Sequence, residues 1–273
     1  MTMAGHRTGT FIATKEHRRF VEFASAVKKH RYIGICFGPE GVGKTVSARR
    51  FARWDKAEPL LLTWGPRDPS DAIAYDALAK ARCVFYTPTV GGPVREVRDD
   101  LHQLMCRIEG CIDLALHPDR VLPDPKGRNQ IELLVIDEAE RLSTPSLEHV
   151  RDIFDRTGIG VILIGMPGLE RKLERYPQLY SRIGFGHHYR ALKGDELTFV
   201  LTRHWRKLGL QLDNADFTDH QAIASIARIT GGNFRLLHRL FVQIERILKI
   251  NELSLVTDDV VEAARSTLVI GAT

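Results

Sequence analysis

The octapeptide Gly38-Pro39-Glu40-Gly41-Val42-Gly43-Lys44-Thr45 constrains the fold of this chain more than any other stretch. It follows the apolar run Tyr32-Ile33-Gly34-Ile35-Cys36-Phe37 and opens a helix-prone stretch from Val46 to Trp54. A strand, a glycine turn and then a helix is the context in which Gly-x-x-x-x-Gly-Lys-Thr binds phosphate. Glycine lets backbone N–H groups converge on phosphate oxygens at φ values that other residues avoid. The start of the helix adds a dipole that favours anions. The predicted cradle therefore runs from Gly38 through Lys44 and Thr45 to Val46. Lys44 is expected to reach the β- and γ-phosphates, and the Thr45 hydroxyl to hold Mg²⁺.

A second run, Leu133-Leu134-Val135-Ile136-Asp137-Glu138, reads as a buried strand that ends in two carboxylates. Asp137 would support Mg²⁺ at the end of that strand. Glu138 would polarise the attacking water, because hydrolysis needs a carboxylate on the far side of the γ-phosphate.

Around these motifs, strand-like runs at 32–37, Leu60–Trp64, 131–136, 159–164 and 187–190 alternate with helical patterns. Phe20, Phe23, Ala24 and Val27 share one face of a helix over 15–30. Val94, Val97, Leu101, Leu104, Ile108 and Ile112 form a longer stripe, and Leu147, Val150, Ile153 and Phe154 another. Such alternation predicts an α/β fold, a mostly parallel sheet covered by helices on both faces. Beyond about residue 192 only helical stripes remain, centred on Trp205, Ile226, Leu240 and Val261. The expected organisation is an N-terminal segment and helix over 1–30, a core over 31–192 and a small all-helical domain over 193–273. A chain of 273 residues suits a core with a smaller companion.

The formal charge of +5 permits nucleic-acid contact without requiring it. The cysteines at 36, 83, 106 and 111 form no Cys-x-x-Cys pair and no zinc spacing. Reduced thiols fit a cytoplasmic protein. Met1 to Thr14 lacks the apolar centre of a signal peptide, and Ile159 to Met166 is too short to span a bilayer. His187 and His188 are adjacent on a predicted strand, so they point to opposite faces and do not share an ion. The tryptophans are expected in cores.

The P-loop, the Asp-Glu strand and a helical domain after the core together resemble the AAA+ ATPases. Three further segments fit. Val161-Ile162-Leu163-Ile164-Gly165 runs into Met166, where such proteins carry a polar group that senses the γ-phosphate. A thioether accepts hydrogen bonds weakly, so the resemblance implies slow, partner-stimulated turnover. Gln178-Leu179-Tyr180-Ser181-Arg182 resembles the segment ending in an arginine finger, which implies that Arg182 reaches a neighbouring subunit's nucleotide. Gly231-Gly232-Asn233-Phe234-Arg235 resembles a second sensor, which implies that Arg235 contacts nucleotide in its own subunit.

Within the AAA+ proteins the arrangement resembles the transposition regulators of the TnsC, TniB and MuB type. The likeness rests on Asp137-Glu138-Ala139-Glu140-Arg141-Leu142, on Gly165-Met166-Pro167-Gly168-Leu169-Glu170 and on Tyr176 to Ile183, and runs over roughly 30 to 250. The family implies ATP and Mg²⁺ as ligands and a homo-oligomer, ring or helical filament, on double-stranded DNA without sequence preference. It implies a transposase and a target-selection protein as partners, and no membrane. The segment matching the DNA-facing region spans Thr87, Thr89, Arg95 and Arg98, and a second candidate loop holds Lys126 and Arg128. Other readings stay open: a secretion- or assembly-linked ATPase without DNA, a helicase-loader-like ATPase, or a protein that keeps nucleotide as a structural element.

Overall fold

Apolar strands with helical stripes between them build one five-stranded sheet in the computed structural model. The structure describes residues 11–63, 65, 68–120, 122–124, 129–213 and 215–268. Two compact units divide the chain, Arg19–Tyr189 and the combination of Met1–Arg18 with Arg190–Thr273.

The chain enters through α1 (Lys15–His30), then β1 (Ile33–Phe37), α2 (Lys44–Phe51), α3 (Trp54–Leu62), α4 (Ala72–Ala81), β2 (Cys83–Tyr86) and α5 (Val94–Leu116). It continues through β3 (Leu133–Ile136), α6 (Thr144–Thr157), β4 (Gly160–Gly165), α7 (Leu169–Glu174), α8 (Pro177–Tyr180) and β5 (Ile183–His188). The strand order is β2-β3-β4-β1-β5, and every adjacent pair is parallel. The three central strands β3, β4 and β1 are buried almost throughout, as their unbroken apolar runs require of a sheet covered on both faces. Phe20, Ala24 and Val27 of α1 and Leu101, Ile108 and Ile112 of α5 are fully buried, as their helical spacing predicts.

Two strand expectations need correction. The run Leu60–Trp64 is not a strand: Leu60 to Leu62 close α3, and Trp64 lies outside the described residues. Trp54, Ala57 and Leu61 are buried together, three and four residues apart, which is a helical face that a five-residue window hides. The missing strand is Cys83-Val84-Phe85-Tyr86, four buried residues too short to show a period. The last strand lies at Ile183–His188 rather than 187–190. Its burial alternates, and glycines at 184 and 186 interrupt the apolar pattern that would have revealed it.

The other unit carries α9 (Asp195–Lys207), α10 (Phe217–Thr230), α11 (Phe234–Ile250) and α12 (Asp258–Ser266). Their stripes meet in a core that includes Val200, Leu201, Trp205, Ile226, Leu237, Leu240, Phe241, Ile244 and Val261. Side-chain caps start three of the helices: Asp216 for α10, Asn233 for α11 and Thr257 for α12. The turn between α10 and α11 admits only glycine at 232, where φ is +75° and a Cβ would fall 1.9 Å from the Leu192 carbonyl oxygen.

His204 is stacked on Phe241 in this core, with ring centroids 4.4 Å apart. Burial, helped by Lys207 and His238, pushes its imidazole down from 6.5 to about 4. Between those values the unfolded chain takes up a proton that the folded chain refuses, so stability falls as pH drops from 6.5 toward 4. Replacing His204 by phenylalanine should flatten the melting temperature across that window. An unchanged acid slope in that variant would show that His204 is not its source.

Candidate nucleotide site

The ends of β1, β3 and β4 gather every strong motif at one edge of the sheet. Phe37 pairs with Gly165, and Ile136 with Leu163, so Gly38 and Met166 leave the sheet side by side, and Asp137 leaves β3 level with Ile164, two residues before Met166. Crevices outside the carboxyl ends of parallel strands are where such sheets bind ligands.

The glycines meet distinct demands. Gly41 and Gly43 adopt φ of +70° and +109°. Gly38 has no room for a side chain, since a Cβ would fall 2.2 Å from the Tyr189 carbonyl oxygen. Tyr189 N–H donates to the Phe37 carbonyl at 2.8 Å, and its hydroxyl is 2.8 Å from Ser47 Oγ in α2. The residue after β5 thus fixes both ends of the loop. Tyr189 and Ser47 were not singled out in the sequence, because neither belongs to a motif. Val42 is buried beneath the loop, whereas Pro39, Glu40, Thr45 and Val46 are exposed at it.

Lys44 is buried, and its ammonium donates to the carbonyls of Gly38 at 2.6 Å and Pro39 at 2.7 Å. Burial holds it below the ordinary lysine range, opposed by neighbours that include Asp137 and Glu140. The Thr45 hydroxyl lies near enough to the Asp137 carboxylate to favour its charged form, bringing together the two residues expected at Mg²⁺. Asp137 is 3% exposed, and burial pushes its carboxyl above the usual range despite Thr45 and the bond from the Glu138 N–H. A buried carboxylate and a hydroxyl beside an ammonium fit a hydrated divalent cation and a triphosphate.

Glu138 stands in left-handed backbone, φ 51° and ψ 45°, which costs a non-glycine residue about 1–2 kcal/mol. Its carboxylate is half-exposed and ion-paired with Arg141. Arg141 also donates to the Pro88 carbonyl at 3.0 Å, tying this turn to the loop after β2. The backbone of Met166 caps α7 by accepting from Leu169 N–H at 3.1 Å.

Arg182 lies at the opposite edge. Its carbonyl accepts the N–H of Ile33 at the start of β1, so roughly 16 Å of strand separates it from Gly38. Its guanidinium grips Asp155 in two bonds of 2.6 and 3.0 Å and holds Asp155 below the usual carboxylate range. It therefore cannot serve its own P-loop. Arg235 is in the helical unit, in the first turn of α11 under the Asn233 cap.

Thr87, Thr89, Arg95 and Arg98 are exposed on the loop after β2 and the start of α5. Thr89 donates to Glu96 at 2.7 Å, and Arg95 lies 3.6 Å from Asp99. Lys126 and Arg128 lie outside the described residues. His187 and His188 face opposite sides of β5, stacked on Phe23 and Phe37. Among the described residues no helix is long and apolar enough to cross a membrane.

An AAA domain model matches residues 27–173. A Staphylococcus aureus protein named as a potential ATP-binding protein is 42% identical over 267 residues, 96% of this chain and 97% of that one. The Mu-like prophage FluMu DNA transposition protein B of Haemophilus influenzae is 25% identical over 239 residues, 85% of this chain and 71% of that one. The fold is similar to the Thermotoga maritima RuvB Holliday junction branch migration motor, with TM-score 0.55, 16% identity and coverage of 93% and 69%. It is also similar to the Aeropyrum pernix ORC2 protein in its ADPNP–ADP complexes, with TM-score 0.56, 14% identity and coverage of 97% and 70%. With a phosphate-binding loop, an Asp-Glu strand end and a five-stranded parallel sheet in that order, this chain belongs to the AAA-domain family of P-loop ATPases.

Proposed function

We propose that this chain is an ATP-dependent, oligomerising AAA+ ATPase that binds double-stranded DNA, marks it as a transposition target and recruits a transposase, with hydrolysis driving disassembly. The position of Arg182 carries the oligomer. An arginine that cannot reach its own nucleotide is suited to a neighbour's, where it neutralises charge on the transferring phosphoryl group. ATP between subunits then acts as an adhesive. Lys44 and the loop N–H groups hold the phosphates, Thr45 and Asp137 hold Mg²⁺, Glu138 polarises water and Arg235 couples the helical unit to the nucleotide. Mg²⁺, when bound, offsets the negative charge on the β- and γ-phosphate oxygens.

The DNA part rests on the likeness to the Haemophilus transposition protein and on where the charge lies. Besides Thr87, Thr89, Arg95 and Arg98, a cleft of about 570 Å³ is lined by Lys28, Lys29, Arg31, Arg53 and Lys80 against Glu132 alone. Lys29 and Arg53 have no ionic partner among the described residues. An oligomer repeating such phosphate contacts binds by avidity without reading bases.

Electron microscopy with double-stranded DNA, with and without ATP, tests the reading. Rings or filaments on DNA that need ATP are expected, with weaker binding after Lys29→Glu and Arg53→Glu together or after Arg95→Glu and Arg98→Glu together. No association even at low salt, where phosphate contacts are strongest, would favour an assembly ATPase without DNA.

A further inference from the structure

The arginine that follows α8 is gripped by a carboxylate on a different helix. Arg182 Nε donates to Asp155 Oδ1 at 2.6 Å, and Nη2 donates to Asp155 Oδ2 at 3.0 Å. Nη1 donates to the Gln178 carbonyl, and Ser181 Oγ stands 3.5 Å away, at the limit of hydrogen bonding. A guanidinium carries five N–H groups and keeps its charge. These bonds engage one N–H on each nitrogen, so Nη1 and Nη2 each keep one more to offer.

Asp155 is itself held in place. Arg151 Nη1 donates to Asp155 Oδ2 at 2.7 Å, and Arg151 Nε donates to Glu148 Oε2 at 2.8 Å. Glu148, Arg151, Asp155 and Arg182 thus form one line of alternating charge. Arg156 and Asp152 on the same helix make an i,i+4 pair of the kind that solvated faces carry. The Asp155 pair is different, because it crosses from α6 to the segment entering β5 and uses both carboxylate oxygens. Both side chains are 31% exposed, so the guanidinium is packed enough to be oriented and open enough to be reached. An arginine left to itself samples many rotamers and gives up that freedom on binding. One pinned along an edge has already given it up, and paired N–H groups are what phosphate oxygens accept best.

Building on the finger reading of Arg182, we propose that Asp155 is a positioning residue for ATP hydrolysis in the neighbouring subunit. It orients the Arg182 guanidinium so that the remaining N–H groups of Nη1 and Nη2 meet γ-phosphate oxygens, and Arg151 keeps Asp155 in place for this. Asp155 touches neither the nucleotide nor the attacking water. Its removal therefore acts on the transition state and not on ATP binding.

The test is steady-state ATP hydrolysis by full-length Asp155→Ala and Asp155→Asn, at protein concentrations where each is fully assembled. Asp155→Ala should lower kcat about 10-fold or more with KM nearly native, since a loosened group loses its alignment with the reacting phosphate. Asp155→Asn keeps the shape and one acceptor oxygen, and should fall between Asp155→Ala and the native protein. Adding excess Lys44→Ala subunits, which carry a native finger, should return the rate per Asp155→Ala subunit toward the native value. A defect that persists in the mixture, or a rise in KM that matches the fall in kcat, is the mark of a structural role and would overturn the proposal. A rate above native would also overturn it, because Asp155 would then restrain the finger instead of aiming it. A native rate in Asp155→Ala beside an inactive Arg182→Ala would remove Asp155 alone. A native rate in Arg182→Ala would end the finger reading and this proposal together.

Discussion

Arg182→Ala should lower ATP hydrolysis by the oligomer about 10³–10⁵-fold, the range associated with arginine fingers. ATP affinity of an isolated subunit should stay nearly native, because Arg182 lies at the far edge of the sheet from Gly38. The pair with Asp155 lies at the surface, where ion pairs add little stability, so folding is not the expected cause. A mixing experiment separates the two subunits' roles. Arg182→Ala subunits keep the phosphate site and lack the finger, whereas Lys44→Ala subunits keep the finger and lack the site. Each is expected to be inactive alone, and the mixture to recover activity. A mixture as inactive as its parts, or an Arg182→Ala protein hydrolysing at the native rate, would remove Arg182 from catalysis.

Lys44→Ala should weaken ATP binding roughly 10- to 100-fold, the equivalent of a charge-assisted hydrogen bond. Fluorescent-nucleotide titration measures it directly. The rise in melting temperature on adding Mg²⁺ and ATP should shrink with it. The nucleotide-free protein should melt close to the native value. Lys44 is a buried ammonium held below its ordinary range by desolvation, and its removal relieves that cost while freeing only the carbonyls of Gly38 and Pro39. Native affinity in the variant would show that the phosphates lie elsewhere.

The glycine loop, the Asp137 strand end and the helical stripes were legible in the chain because each is a local pattern. Spacing along a few turns or one strand specifies which face is apolar, and the loop needs its residues in consecutive order. The short strand Cys83–Tyr86 and the helix ending at Leu62 were misassigned for the converse reason. Four apolar residues carry no period, and burial on both sheet faces favours β structure at 83–86 only once β3 lies beside it.

Long-range contacts fall outside any such pattern. Tyr189 packs against Gly38 across 151 positions of chain, 189 − 38, and nothing near either residue announces the pairing. Resemblance alone offered Arg182 as a candidate finger, and its separation from its own P-loop follows from strand register. The same holds for the glutamates. In the chain, Glu138 and Glu140 differ by two positions and share a chemistry. A left-handed residue and a glycine on another strand give one of them Arg141 and the other a sealed space beside Gly165. Local order was enough to reveal a loop of the phosphate-binding type, because such a loop is a run of consecutive residues. Which acid pairs with Arg141 and which lies beside Gly165 depends on packing between strands that meet only in the folded sheet.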